Sequence, residues 1–281
     1  MKEPFIGSEA LACGALSRHQ LRSRHRAVFP NVYLATELRP SLERRIAAAW
    51  LWSDRRAIIA GTAAAALHGA KWIGDDIPIE LIYPNTRPPR GVLTRRDVLI
   101  DDEMMTMAGL AVTTPGRTAY DIGRRAPRRT AVAQLDALAR ATGLKVDDVA
   151  ALAQHHRGAR QLRKLETVLQ LVDPGAESPQ ETYLRLLLVE AGLPRPQTQI
   201  PVLTGEETYY LDMGWEDCMV AVEYDGDHHR VEPWQWRKDI RRREKLERMG
   251  WVVIRVIAGD DRADILRRVR CALAARKSSV H

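Results

Sequence analysis

The sequence has few of the features that mark secreted or membrane-spanning proteins. Its three cysteines, Cys13, Cys218 and Cys271, lie far apart without a C-x-x-C motif, which argues against a disulfide framework or a zinc knuckle. The longest weakly polar stretch, residues 57–70, is shorter than the ~20 residues that a membrane-spanning helix needs. The chain does not open with a charged segment followed by an apolar block. A cytoplasmic protein is therefore expected.

Acidic residues are missing from one stretch near the amino terminus, although the whole chain holds 36 of them against 43 lysines and arginines. Between Glu9 and Glu37 the charged side chains are all arginines, with two histidines beside them, and the candidates for DNA contact are Arg18, His19, Arg22, Arg24 and Arg26. Ser17 is a suitable N-cap for a helix over residues 18–24, and residues 32–34 favour a strand. This order predicts a small winged helix-turn-helix facing a phosphate backbone or a major groove. A solvated helix face fits the pattern equally well.

Turn-forming residues divide the 281 residues and predict a mixed α/β (α+β) protein. The winged helix-turn-helix region is assigned to residues 1–75, and a middle section of strands followed by helices to residues 76–173. Residues 173–178 are rich in turn formers and mark the last boundary. Residues 174–281 then predict helix, three strands, helix, strand and helix, with a mixed sheet flanked by helices. The middle section shows no motif with a recognisable chemistry.

The last domain places carboxylates where they can converge. Glu223 and Asp225 alternate with Val222 and Tyr224, so the period of a strand puts both carboxylates on one face. Neighbouring carboxylates are tolerated when both face water or when a cation holds them together. Mg²⁺ or Mn²⁺ prefers such oxygen ligands, and Asp212 on the preceding strand is the natural third ligand.

Three further side chains flank this predicted metal site. Glu181 follows Ser178 at the spacing of a capping box, yet it also lies on the helix face expected to point inward, so capping and function both stay open. His228 and His229 follow the strand directly and are candidates to move a proton during hydrolysis. Zinc is a weaker alternative, because adjacent histidines do not easily converge on one tetrahedral ion. A histidine pair on the surface is the alternative without function.

The helix predicted over residues 234–249 is strongly basic. It carries seven basic and three acidic residues between Arg237 and Arg248. A charge run of this kind is usually a solvated helix face, but its place after the carboxylates favours a nucleic-acid backbone as partner. The candidate DNA contacts are Arg237, Arg241, Arg242 and Lys245. A membrane surface is a weak alternative, because the helix lacks a substantial apolar face.

These motifs together carry a resemblance. Glu181, Asp212, Glu223-x-Asp225-Gly and the run Gly-Trp-x-Val-x-Arg-Val at residues 250–256 resemble the very-short-patch-repair endonuclease-like branch of the PD-(D/E)xK nuclease superfamily. The resemblance implies a restriction-endonuclease-like domain and Mg²⁺-dependent hydrolysis of DNA phosphodiesters, in DNA repair or phage defence. It implies an acidic site of Glu181, Asp212, Glu223 and Asp225.

One position departs from the superfamily pattern, because Asp225 stands where the common motif has lysine. Lys238 from the following helix, His228 or His229 would have to activate the water instead. The amino-terminal part also resembles the winged-helix domain of AbiEi-type antitoxins, and the combination resembles an actinobacterial family.

Two hypotheses for function follow. One is a metal-dependent endodeoxyribonuclease acting on duplex DNA, which the four carboxylates favour. The other is a non-enzymatic DNA-binding regulator, antitoxin-like, with an inactive nuclease fold, which Asp225 in the lysine position favours. The sequence indicates no membrane partner, and it shows no interface signal for a protein partner or a homodimer.

Overall fold

A computed structural model describes residues 2–205, 207–226 and 233–278, with the side chains of residues 233–238 and 277 outside the description. The chain divides into two compact units, Met1–Val172 and Asp173–His281. Helices and three antiparallel or mixed sheets confirm the mixed α/β class predicted from the sequence. Within the described ranges, no helix is both long enough and apolar enough to cross a membrane.

The first unit begins with two short helices and a small antiparallel sheet. The elements are β1 (Phe5–Ile6), α1 (Gly7–Ala12), α2 (Arg18–Arg24), β2 (His25–Phe29) and β3 (Val32–Ala35), and the sheet order is β1-β3-β2. Ser17 caps α2 reciprocally: the Gln20 N–H donates to Ser17 Oγ at 3.1 Å, and the Ser17 N–H donates to Gln20 Oε1 at 2.8 Å. Asn31 takes the left-handed conformation that a tight hairpin turn requires. The helix and strand predicted here are confirmed.

A five-stranded mixed sheet follows in the same unit, in the order β6-β5-β4-β8-β7. Its elements are α3 (Leu42–Trp52), β4 (Ile58–Ala60), α4 (Gly61–Leu67), β5 (Ile79–Ile82), β6 (Val92–Arg95), a 3-10 turn (Asp101–Glu103), β7 (Met104–Met107) and β8 (Leu110–Thr113). Strand β4 lies in the chain between the helices α3 and α4. That strand pairs with both β5 and β8 and lies fully buried at Ile59. A boundary at residue 75 therefore cuts through a sheet.

Four helices complete the first unit where apolar spacing predicted them. They are α5 (Pro115–Arg125), α6 (Arg128–Thr142), α7 (Val146–His155) and α8 (Leu162–Leu169). Helix α5 contacts each of the other three, and at Gly123 an added Cβ would lie only 2.4 Å from Leu165 Cδ1. Because α5 is central, even its charged residues Arg117 and Asp121 are buried.

The described residues of the second unit form a four-stranded sheet with three helices. Its elements are α9 (Pro179–Glu190), β9 (Gln197–Leu203), β10 (Thr208–Trp215), a 3-10 turn (Glu216–Cys218), β11 (Val220–Asp225), α10 (Pro233–Arg248), β12 (Val252–Ile257) and α11 (Arg262–Ser278). The order predicted from the sequence is confirmed. Strands β9, β10 and β11 are antiparallel neighbours, and β12 joins β11 in parallel.

Apolar layers cover both faces of this sheet. On one face, α9 and α11 pack in one cluster with Val222. On the other face, Leu246 of α10 packs with Leu211 and Ala221. Because side chains alternate along a strand, Glu223 lies on the α10 face.

Candidate nucleic-acid interface and carboxylate cluster

Helix α2 presents a basic face to solvent. Leu21 turns inward and is buried, so the opposite side of the helix stays outside. The five predicted DNA contacts of this region are Arg18, His19, Arg22 and Arg24 on α2 and Arg26 on β2, and all five are exposed. Among the described residues, Arg18, Arg22 and Arg24 have no carboxylate partner. Their charge is therefore available to an external anion.

The hairpin of β2 and β3 is held against helix α1. The Ser8 N–H donates to Asn31 Oδ1 at 3.0 Å, and Asn31 Nδ2 donates to Ser8 Oγ at 2.8 Å. Gly7 permits this approach, since a Cβ there would lie 2.5 Å from the Tyr33 ring. Two helices followed by a hairpin, with β1 pairing to β3, have the order of a winged helix-turn-helix, in which the second helix is the one that enters a groove.

In the second unit, three of the predicted carboxylates come together. Burial raises the pKa of Asp212 to about 7, and the negative charges of Glu181 and Glu223 add to the rise. The Tyr224 N–H donates to Asp212 Oδ2 at 2.8 Å, and this bond lowers the pKa only in part. The backbone pairing of β10 with β11 ends at the Met213–Val222 pair. Beyond it, the Asp212 side chain replaces a strand carbonyl as the acceptor for the Tyr224 N–H.

Arg242 of α10 supplies a positive charge to this cluster. Its Nη2 donates to Glu223 Oε1 at 2.5 Å and its Nη1 to Oε2 at 3.2 Å, a bidentate pair with Glu223 buried. Nη2 also donates to the Tyr210 carbonyl at 2.8 Å. Arg242 was predicted as a DNA contact, and the structure places it in an ion pair inside the unit. It carries the charge that the sequence analysis assigned to a metal ion.

The Glu181 carboxylate also accepts hydrogen bonds at the start of α9, where the Ser178 side chain is the N-cap. The Glu181 N–H donates to Ser178 Oγ at 3.2 Å, and the Ser178 hydroxyl donates to Glu181 Oε1 at 2.9 Å. The Glu177 N–H donates to Oε2 at 2.8 Å. Glu181 is nevertheless close enough to raise the pKa of Asp212, so it lies at the capped end of α9 and belongs to the cluster.

The other predicted site residues that the structure describes lie outside this carboxylate cluster. Asp225 faces Arg255 of β12, with Nη1 3.7 Å from Oδ2. Lys245 lies 3.4 Å from Glu207 Oε2, and Arg241 is exposed. His228 and His229 lie outside the described residues, as do the side chains of Arg237 and Lys238. Within the described part of the chain, no three His, Cys, Asp or Glu side chains are grouped to hold a metal ion.

The sequence analysis missed a buried charge network in the first unit. The Arg117 side chain is 1% exposed and donates to Asp121 at 3.0 Å and to Glu103 at 2.5 Å. Glu103 also lies 2.5 Å from His156 Nε2. The signal that could have found this region is the pair of arginine doublets at residues 95–96 and 124–125.

Comparison with known proteins points to the same region. Residues 56–171 match the family model of the AbiEi antitoxin C-terminal domain. Two curated relatives, described as uncharacterized proteins of Mycobacterium tuberculosis strains CDC 1551 / Oshkosh and ATCC 25618 / H37Rv, are each 29% identical over 252 residues, or 89% of this chain and 89% of theirs. No solved structure matches the chain.

These similarities support the antitoxin resemblance, but they locate it in a later part of the chain than predicted. The resemblance was predicted for the amino-terminal winged helix, whereas the match begins just before β4 and ends after α8. It covers the middle section, for which no chemistry was predicted. The very-short-patch-repair resemblance receives no support from them and stays a prediction.

Proposed function

We propose that this protein is a DNA-binding regulator of the antitoxin type and that α2 is its DNA-contacting helix. The similarity of residues 56–171 to an antitoxin domain supports the regulatory class. The observation that carries the DNA contact is the exposed face of α2, whose arginines have no carboxylate partner among the described residues.

Arg242 of α10 differs from the arginines of α2 because it already holds an internal partner. An arginine that binds DNA phosphate releases condensed counterions, which supplies much of the affinity. Arg18 and Arg22, one helical turn apart, can do so without giving up an internal partner. Arg242 would first have to leave the buried Glu223, and breaking a buried ion pair is strongly unfavourable.

The salt dependence of DNA binding tests the proposal. Full-length protein is titrated into duplex genomic fragments, including the region upstream of its own reading frame, at several salt concentrations. The double variant Arg18→Ala, Arg22→Ala should lower the slope of log K against log salt by about 2, since each lost phosphate contact removes about one unit.

The matched control removes two exposed arginines from α11, through Arg262→Ala and Arg270→Ala. This variant should keep the wild-type slope. An unchanged slope in the Arg18, Arg22 variant, with its melting temperature preserved, would contradict the assignment of α2. An equal loss in the α11 variant would contradict it too.

A second candidate is Mg²⁺- or Mn²⁺-dependent hydrolysis of DNA phosphodiesters in the second unit. The observation that favours it is the buried Asp212, whose pKa is raised by burial and by the negative charges of Glu181 and Glu223. Carboxylate oxygens are the donors that these ions prefer; of the predicted ligands Asp212, Glu223 and Asp225, the first two belong to this cluster, whereas Asp225 faces Arg255. An ion bound there would activate water for attack on a phosphodiester. Because Arg242 holds both Glu223 oxygens, ion binding requires Arg242 to release them.

Calorimetry, together with a cleavage assay, tests this second candidate function. Mg²⁺ or Mn²⁺ binding to the full-length protein that disappears in Asp212→Ala, together with plasmid cleavage that disappears in Glu223→Ala, would support hydrolysis. Absence of ion binding both in the wild-type protein and in Arg242→Ala would rule it out, because the second variant removes the competing guanidinium.

A further inference from the structure

We infer that the first unit binds a small phosphorylated ligand, of about the size of a nucleotide, in an arginine-lined cavity. The cavity has a volume of about 470 Å³ and lies between the end of β6, helix α5 and the segment after α7. Six arginines line it against one aspartate. The inference is independent of DNA binding by α2, since the two sites use different residues.

Residues with buried, unpartnered donors form part of the cavity lining. Tyr120 is 1% exposed, and within the described residues its hydroxyl has no hydrogen-bond partner. The same is true of Nε of Arg124 and Nε of Arg95, which are also buried. Leaving a buried donor unsatisfied is costly, and such groups are rare in folded proteins. These atoms have almost no accessible surface and lie just behind the cavity lining, so a phosphate would reach them only after the lining side chains shift.

The inner arginines are held in fixed positions. The Arg124 guanidinium stacks over the Tyr120 ring at 4.3 Å and donates to the Arg160 carbonyl at 3.1 Å. Arg125 donates to Glu80 at 2.7 Å and also pairs with Asp97 and Asp121. Groups already ordered in the free protein lose little conformational entropy on binding, so they are suited to ligand recognition.

Arginines at the rim remain without internal partners. Arg96 and Arg160 are exposed and line the same cavity, and no described carboxylate pairs with their side chains. The inner arginines are held in place by internal contacts, and the rim arginines have no described carboxylate to neutralise them. Together they create a positive potential in the cavity. Guanidinium forks match the geometry of phosphate oxygens, so the ligand class is a phosphate or polyphosphate.

The shape of the site favours a small molecule over a duplex backbone. The volume falls in the range of about 300–1,000 Å³ that is typical of small-molecule sites. The donors that lack partners belong to the buried lining, whereas a duplex phosphate would meet the rim residues first.

Calorimetric titration of the full-length protein with inorganic pyrophosphate and with ATP tests the inference. Saturable binding is expected for at least one of them, and the double variant Arg96→Ala, Arg160→Ala should weaken it about tenfold or more. Both side chains are exposed, so the variant should keep its melting temperature.

The control variant Arg262→Ala, Arg270→Ala should bind as the wild-type protein does. The inference is overturned if neither pyrophosphate nor ATP binds, or if they bind equally to the rim variant. It is also overturned if duplex DNA alone binds in a way that depends on Arg96 and Arg160, since the cavity rim would then be part of a nucleic-acid surface. Loss of DNA binding in the α2 variant would leave these titrations unchanged.

Discussion

The pH dependence of stability should report directly on the carboxylate cluster of the second unit. The unfolded chain ionises Asp212 near pH 3.8, whereas the folded protein keeps it protonated up to about pH 7. Between these values the folded state holds the extra proton, so the free energy of unfolding falls as the pH rises. At about 1.4 kcal/mol per pH unit, Asp212 costs the folded state about 4 kcal/mol by pH 8.

The variant Asp212→Asn isolates this contribution. Asparagine is close in shape to the protonated acid and keeps a carbonyl oxygen for the Tyr224 N–H, which donates to Asp212 at 2.8 Å. It does not ionise, so the penalty should vanish. Relative to the wild-type protein, the variant should gain about 3 kcal/mol of stability between pH 5 and pH 8.

Urea unfolding of both full-length proteins from pH 5 to pH 8 provides the assay, with the buried Trp215 and Trp251 as fluorescent reporters of the second unit. Taking the difference between the two proteins cancels the titration of the groups that do not interact with Asp212, and the coupled Glu181 and Glu223 remain in it. The exposed Asp217→Asn serves as a control that removes the same charge from the same unit. Parallel stability curves for wild-type and Asp212→Asn proteins would refute the placement of Asp212 in a buried, negatively charged cluster.

Three further changes test the fold around the proposed sites. Ser17→Ala removes the cap of α2, which should cost about 1 kcal/mol and raise amide hydrogen exchange in that helix; unchanged exchange would contradict the capping geometry. Gly214→Ala places a Cβ 2.3 Å from the Val220 carbonyl oxygen and should lower stability by about 1–3 kcal/mol in urea, whereas Gly74→Ala meets open space and should not. Arg117→Met leaves two buried carboxylates without their guanidinium and should cost about 3–5 kcal/mol in thermal unfolding; a smaller effect would mean that the network reorganises.

Elements set by neighbouring residues could be predicted from the sequence. Helix α2 has its bounds at Arg18 and Arg24 because Ser17 and Gln20 close a capping box at its start. The order of elements in the second unit follows from apolar spacing and turn residues. Each of these signals lies within a few positions of the element it defines, so no tertiary contact is needed to recognise it.

Elements set by distant partners could not be predicted in this way. Strand β4 has only three residues and continues directly into the alanine-rich α4, so its sequence is too short to be separated from that of the helix. It forms a strand because β5 and β8 pair with it from both sides. The close spacing of Glu223 and Asp225 was visible in the sequence, but the pairing of Glu223 with Arg242 was not. That pair exists because α10 packs across the sheet.

The distribution of charge partners separates the basic segments more clearly than their composition does. By composition, α10 holds seven basic residues, more than the other described helices of the second unit, and is the strongest candidate for DNA. In the structure, however, its Arg242 neutralises a buried carboxylate and its Lys245 lies beside Glu207. Among the described residues considered for a ligand, the arginines without a carboxylate partner are those of α2, Arg26 of β2, the two at the cavity rim and Arg241 of α10, and all except Arg241 belong to the first unit. A basic side chain with an internal partner must lose that pair before it can bind phosphate. The first unit is therefore where we expect both DNA and a phosphorylated ligand to bind.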